Sequence, residues 1–353
     1  MRPAGRLFTI AALCIALPPM PALSADVTYE VVELPNAGGY YSSAVVVNDR
    51  GHALVEMYGD YGAEGRLYWS KETGYKPMTF NGKWITPGPM NNHDHVAGVT
   101  DAGLGVVWSP HGIVAKFSAP PGYKNLFPSF IRDDGRIFGT LSESETGIHH
   151  AFHVSSDGQV VVDHPGKPTC AIAAGSHRGA VVAVLDSPTA SCYCYEPHSD
   201  YLLRHGQSHR IAVDGIDPMC VFAMDDQGDV LIADVDHADL PGLWSEADGY
   251  VPLGINVGIG NIAGVADGGI VAANGGLGKL GKKWRAFLWD RQSGATAVED
   301  MVESKEQVAS LKIYDISAHG VLGGGNFRYP IILLPSHWAR TDGADTGVGG
   351  ATP

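Results

Sequence analysis

Three stretches of this 353-residue sequence carry side chains that could do chemistry. The first is "NNHDH" (91–95), where His93 and His95 flank Asp94. Neutral imidazole binds zinc or manganese and titrates near neutral pH, so two of them beside a carboxylate suit a divalent metal or acid–base work. A solvated turn explains the same residues, because His-x-His spacing alone fixes no geometry. The second is "HHAFHV" (149–154). In a strand, His149 and His153 share one face while His150 and Phe152 share the other, so a metal cluster here needs help from elsewhere, such as His177 or His93.

The third stretch runs through "CAIAAGSHRG" (170–179) and "CYCYEPHSDYLLRHGQSHRI" (192–211). It concentrates His177, Arg178, Tyr195, His198, Arg204, His205 and His209 in a window that also holds four cysteines, Cys170, Cys192, Cys194 and Cys220. In an exported chain an even cysteine number favours two disulfides, with three connectivities open, whereas "CYC" near His177 and His198 offers a metal site instead. A crosslinked insertion holds polar side chains in place without an ordering cost at each binding event, which suits recognition or catalysis. The plainer reading is a decorated unit whose disulfides replace missing core packing.

His, Tyr and Arg together could eliminate a glycosidic bond from a uronate: Arg or a metal neutralises the carboxylate, and His or Tyr takes the proton. Other chemistries find less support. There is no "GxSxG" elbow for a serine hydrolase, and "NGGLGKLGKK" (274–283) lacks the ordered phosphate-cradling pattern.

The elements that would position these groups recur along the chain. "VVVNDRGHALV" (45–55) leads to "GRLYWSKETG", and "PMNNHDHVAGV" (89–99) leads to "GVVWSPHG". "IRDDGRIFG" (131–139) leads to "HHAFHV", "FAMDDQGDVLIA" (222–233) to "GLWSEADG", and "IAGVADGGIVAA" (262–273) to "RAFLWDRQSG". Weaker copies begin at "IAAGSHRGAVVAVL" (172–185) and "DISAHGVLGGG" (315–325).

The turn positions Gly51, Asp94, Gly135, Gly179, Gly228, Gly268 and Gly320 are spaced by 43, 41, 44, 49, 40 and 52 residues. A period in the forties is the length of one four-stranded propeller blade. Each unit reads as hairpins: a strand, a glycine turn such as Asp134-Gly135 suited to type I′, a short strand, an aromatic strand, and a last apolar segment such as "YKPMTF" or "YVPLGI". Trp69, Trp108, Trp244 and Trp289 recur at one place in the unit, where a large side chain fills the space between neighbouring blades.

These units resemble the HAF repeat of bacterial extracellular proteins, through His150-Ala151-Phe152, "RAFLW" (285–289), and a leading "YEVVEL" (29–34) that is similar to the start of such a unit. The resemblance covers about residues 27–335 and implies an exported β-propeller-like array. It implies no activity and carries no catalytic residue. Turn chemistry also accounts for Asp49, Asp133 and Asp134, which otherwise suggest calcium ligands, because the spacing of a calcium loop is absent.

Residues 1–25 read as a secretory signal: Arg2 and Arg6, the apolar run "LFTIAALCIAL", then small residues up to Ala25. Removing them leaves 22 basic against 38 acidic side chains, a balance of −16. A chain this acidic repels nucleic acid and anionic membranes. Residues 336–353, rich in Gly, Thr and Ala, read as a flexible tail. The expectation is therefore an all-β, seven-bladed β-propeller of four-stranded antiparallel blades over 26–335, periplasmic or secreted, without a membrane span after signal removal. It would serve as a binding scaffold for a carbohydrate or protein partner. The competing class is a carbohydrate-active enzyme, a metal- or His/Tyr-assisted polysaccharide lyase.

Overall fold

The computed structural model describes residues 27–336 apart from 38–40, 60–61, 156, 164–168, 176–180, 186–198, 205–206, 214–218, 235–240, 256, 258–260, 276–284 and 327–328. The signal read at 1–25 and the tail beyond Ser336 lie outside the described residues.

Among the described residues the strands form seven four-stranded antiparallel sheets, one after another along the chain, and one two-stranded hairpin. The first comprises Tyr41–Val47, Ala53–Gly59, Gly62–Ser70 and Gly74–Pro77. The second comprises Thr86–Met90, Val96–Val99, Gly105–Ser109 and Gly112–Phe117. The third comprises Tyr123–Ile131, Ile137–Glu143, His149–Val154 and Val160–Val162. Thr169–Gly175, Val181–Leu185, Ser199–Arg204 and Gln207–Ile211 make the fourth. Met219–Met224, Val230–Asp234, Gly242–Ser245 and Gly249–Pro252 make the fifth. Ile262–Ala266, Ile270–Gly275, Arg285–Asp290 and Gly294–Ala297 make the sixth. The leading strand of each sheet lies beside that of the next, and Lys312–Ile316 of the last sheet lies beside Tyr41–Val47 of the first, so the leading strands close a ring.

The last sheet is assembled from both ends of the chain. Lys312–Ile316, Leu322–Gly325 and Pro330–Pro335 are joined at the outer edge by Tyr29–Glu33, with Tyr29 opposite Pro335 and Glu33 opposite Ile331. The "YEVVEL" stretch thus completes the last unit instead of starting the first, a correction of the sequence reading. Main-chain pairing is the physical reason, since the outer edge of Pro330–Pro335 would otherwise be left without partners. The Tyr29 N–H donates to the Met301 carbonyl (2.7 Å), and the buried Tyr29 hydroxyl donates to the Gly320 carbonyl (3.2 Å).

Positive φ is found at Gly51, Gly135, Gly228, Gly268 and Gly320, and at Asp94 (60°), six of the seven turn positions picked from the sequence. Gly179 lies outside the described residues. The turn type differs from the expectation at Asp134-Gly135, where only Gly135 has positive φ. The Gly135 N–H donates to the Arg132 carbonyl (3.0 Å), and the Arg132 N–H to the Arg136 carbonyl (2.9 Å). This is a three-residue loop, a type I turn followed by one left-handed residue, so a single glycine suffices.

A second repeating device is the bulge. Every leading strand slips register before its turn, for example between Ala44 and Val46, between Pro128 and Phe130, and between Ile313 and Asp315. Each slip bends the strand and increases its twist, as a strand at the crowded centre of a ring requires.

Apolar side chains fill the wedges between sheets. Leu231 and Leu243 of the fifth sheet pack with Val265, Val271, Phe287 and Trp289 of the sixth. Trp108, Trp244 and Trp289 are buried in such wedges and Trp69 is half-buried, as their periodic placement suggested. Truncating one of these rings to alanine costs about 3–5 kcal/mol. At the seam between last and first sheets Gly323 lies so close that a β-carbon there would sit 2.6 Å from a Val47 methyl and 3.1 Å from the Ala44 carbonyl oxygen. Among the described residues no helix is long and apolar enough to cross a membrane.

Candidate functional site

The turns after the leading strands share one end of the ring, and four of the described ones present three consecutive residues in graded burial. Asn48, Asp49 and Arg50 are buried, half-buried and exposed in turn. The same gradation holds for Asn91, Asn92 and His93, for Asp225, Asp226 and Gln227, and for Ser317, Ala318 and His319. In the third sheet Arg132 and Asp133 are half-buried and Asp134 is exposed.

The first residue braces its own turn. Asn48 Oδ1 accepts from the Arg50 and His52 N–H groups, and Asn91 Oδ1 accepts from those of His93 and His95. Asp225 Oδ1 does the same for Gln227 and Asp229. This residue also reaches the next sheet: Asn48 Nδ2 donates to the Asn91 carbonyl (3.1 Å), and Asn91 Nδ2 to the Arg132 carbonyl (2.8 Å).

The second residue links the turns in a chain. The His319 N–H donates to Asp49 Oδ1 (2.8 Å), the Asp49 N–H to Asn92 Oδ1 (2.9 Å), and the Asn92 N–H to Asp133 Oδ1 (2.9 Å). Between the fifth and sixth sheets the Asp226 N–H donates to Asp267 Oδ1 (3.0 Å). Asp49, Asn92 and Asp133 thus hold the turns in register, and the third residues are displayed on a braced platform.

A buried network backs this platform between the first two sheets. His52 Nδ1 lies 2.7 Å from Asp94 Oδ1 and 2.9 Å from the Tyr68 hydroxyl. Asn48 Nδ2 donates to the same Asp94 oxygen (2.9 Å), and Arg50 binds the other (2.7 Å). Burial works against the Asp94 carboxylate, but the His52 hydrogen bond and charge, with Asn48 and Arg50, hold its pKa below the ordinary value. Asp49 behaves alike, its burial outweighed by bonds from His319 and Ser317. The His319 pKa is raised, first by its hydrogen bond to Asp49 and further by the charges of Asp49, Asp267 and Asp226, against partial burial. Asp225 goes the other way: burial, then the charges of Asp229 and Asp267, push it up to about 7 despite its backbone hydrogen bonds.

The sequence candidates separate on this scaffold. His93 and His95 flank Asp94 as read, but Asp94 turns toward His52 and Arg50, and the two imidazoles stand 6.4 Å apart, centre to centre. Burial, then the positive charge of His93, lowers the His95 pKa. Among the described residues no three His, Cys, Asp or Glu side chains gather as a metal site. His149 and His153 are half-buried while His150 and Phe152 are buried, as the strand geometry predicted. His153 Nδ1 pairs with Asp163 (2.8 Å), His149 Nδ1 meets the Ser142 hydroxyl (3.3 Å), and His150 packs edge-on against Tyr123.

In the fourth sheet His209 is exposed and pairs with Glu246 of the fifth (3.1 Å). Arg204 ends the strand Ser199–Arg204, and Cys170 and Cys220 lie in the leading strands of the fourth and fifth sheets. His177, Arg178, Tyr195, His198, His205, Cys192 and Cys194 lie outside the described residues. The paired strands bracketing that window place Gly175 and Val181 at one end, and Leu185 and Ser199 at the other. The connections 176–180 and 186–198 therefore leave from opposite ends of the sheet.

Sequence reasoning missed the His52–Asp94–Tyr68 network. Its signal was Asp94 itself, standing at a turn position where the other copies have glycine.

Solved structures share this fold. Virginiamycin B lyase from Staphylococcus aureus matches over 87% of this chain and 99% of its own, with TM-score 0.53 and 9% identity. The chain is a β-propeller. A catalytically inactive variant of that lyase with quinupristin matches over 86% and 99%, with TM-score 0.52 and 10% identity. A puromycin hydrolase mutant complexed with PGG gives TM-score 0.57 and 12% identity over 85% of this chain and 52% of its own. Identity this low carries the propeller fold and no activity. No family model matches the sequence, and no curated protein does.

Proposed function

We propose that this propeller is an exported, seven-bladed scaffold of the HAF-repeat kind, periplasmic or secreted, that binds a carbohydrate or protein partner on its turn-bearing end. The observation that carries the reading is the graded burial of the turns. In the turns of the first, second, third, fifth and last sheets, Arg50, His93, Asp134, Gln227 and His319 stand exposed at one backbone position and differ in chemistry. Varied polar side chains on a pre-ordered platform suit recognition, because little conformational entropy is lost on binding.

The half-buried acids behind this face would repel a polyuronate, which counts against an eliminating enzyme for such substrates. The test is a panel of neutral, basic and acidic glycans, with His93→Ala and Gln227→Ala compared with the unaltered protein. A bound neutral or basic glycan, weakened about 5- to 30-fold by either change without loss of thermal stability, supports the scaffold. Release of unsaturated sugars detected by ultraviolet absorbance would replace the scaffold with a lyase. Binding indifferent to both substitutions would move the ligand to another surface.

A further inference from the structure

The sequence contains two Asn-Gly pairs, Asn81-Gly82 and Asn274-Gly275, and the fold treats them oppositely. Asn81 and Gly82 form the two-residue tip of a small hairpin, Thr79–Phe80 paired with Lys83–Trp84, in the connection between the first and second sheets. Both have positive φ, 51° and 76°, as a type I′ turn demands. All four residues from Asn81 to Trp84 are exposed, and a β-carbon built on Gly82 meets nothing within 4 Å. The hairpin is anchored at its base, where the Ile85 N–H donates to the carbonyl of buried Met78 (3.0 Å) and Phe80 packs against the core between the first two sheets.

Asn274 lies within the strand Ile270–Gly275, 4% exposed. Its Nδ2 donates to the carbonyls of Asn261 (3.3 Å) and Ile313 (2.7 Å), and its Oδ1 accepts from the Ile313 N–H (2.7 Å). This amide bolts the sixth sheet to the leading strand of the seventh. These bonds hold both ends of the amide in place within the packed sheets.

The structure assigns Asn81 as a site of spontaneous deamidation, and Asn274 as a site that the fold protects. In the reaction the Gly82 backbone nitrogen attacks the Asn81 side-chain carbonyl carbon. The C–N bond to the amide nitrogen breaks, ammonia leaves, and a five-membered succinimide closes. Water then opens either carbonyl of the ring, giving aspartate or isoaspartate without any change of oxidation state. Glycine favours the attack because no side chain shields its nitrogen, and a hairpin of two residue pairs opens locally at small cost. The aspartate product adds a negative charge two residues from Lys83. The isoaspartate product lengthens the backbone within the turn, which puts the Phe80–Lys83 pairing out of register and loosens Phe80 from Lys116, now 4.9 Å above its ring.

The test uses the whole purified protein, aged at mildly alkaline pH, digested, and mapped by mass spectrometry with isoaspartate detection. The peptide holding Asn81 should gain the mass of an amide-to-acid change while Asn274 in the same sample converts at least about tenfold more slowly. In denaturant the two should convert at similar rates, since both are then Asn-Gly in an open chain. Equal conversion in the native protein, or an Asn81 as inert as Asn274, overturns the assignment. Asn81→Gln should abolish conversion in that peptide.

Discussion

His319 meets Asp49 twice across the seam of the ring: its backbone N–H lies 2.8 Å from Asp49 Oδ1 and its imidazole Nδ1 lies 3.2 Å from Oδ2, although 270 residues separate the pair in sequence. The contact joins the last sheet to the first, so its protonation bears on ring closure. With the His319 pKa raised, the imidazolium's contribution is complete below the unfolded-state value near 6.5 and is lost as pH rises through the folded value. With the Asp49 pKa lowered, the carboxylate's contribution is complete above the unfolded-state value near 3.9 and is lost as pH falls through the folded value. The pair is strongest between those limits. Because His319 is exposed, solvent screens it, and His319→Ala should cost under about 1 kcal/mol near pH 5.5 and less at pH 8.5. Thermal midpoints across that range check this; an equal loss at both pH values would assign the effect to packing.

Asp225 should act with the opposite sign. Its folded-state pKa near 7 stands above the unfolded value near 3.9, so folding takes up a proton between them and stability falls as pH rises through that window. Asp225→Asn keeps the Oδ1 acceptor for Gln227 and Asp229 but loses the bond from the Gly269 N–H (3.2 Å). The variant should be less stable than the parent at pH 4 by about 1 kcal/mol and should lose the downward slope toward pH 7. Denaturant midpoints measured at each pH decide it, and an unchanged slope would refute the assignment.

Asn48 holds the first two sheets together through four hydrogen bonds, two within its turn and two to Asn91 and Asp94. Asn48→Ala leaves those partners unsatisfied and should cost about 2–4 kcal/mol in urea unfolding. Asn48→Asp restores the acceptors but sets a carboxylate against Asp94, so it should recover only part of the loss, and less at high pH than at low.

Gly323 tests the seam by volume. A β-carbon there would press on Val47 and the Ala44 carbonyl, so Gly323→Ala should cost about 1–3 kcal/mol. The companion change Val47→Ala removes the methyl that would clash, and the double variant should lose less than the two single losses added together. Strict additivity in equilibrium unfolding would show that the sheets do not approach as closely as described.

Much of this architecture is written locally. Strand periodicity, the left-handed glycine of each turn and the repeated tryptophan depend on neighbours within one unit, so the period of about forty residues, the four-stranded units and the turn positions are legible from the chain alone. The face alternation of His149, His150, Phe152 and His153 is legible for the same reason. Relations between units are different, because they depend on which residues the closing ring brings together. No local pattern places Tyr29–Glu33 on the outer edge of the last sheet, sets His319 on Asp49, or turns Asp94 from a partner of His93 and His95 into the partner of His52 and Arg50 in the preceding sheet. The repeated Asn and Asp of the turns announce a bend in the sequence. Only their packing in three dimensions makes them the links that hold one sheet to the next and decides which side chains are exposed beyond them.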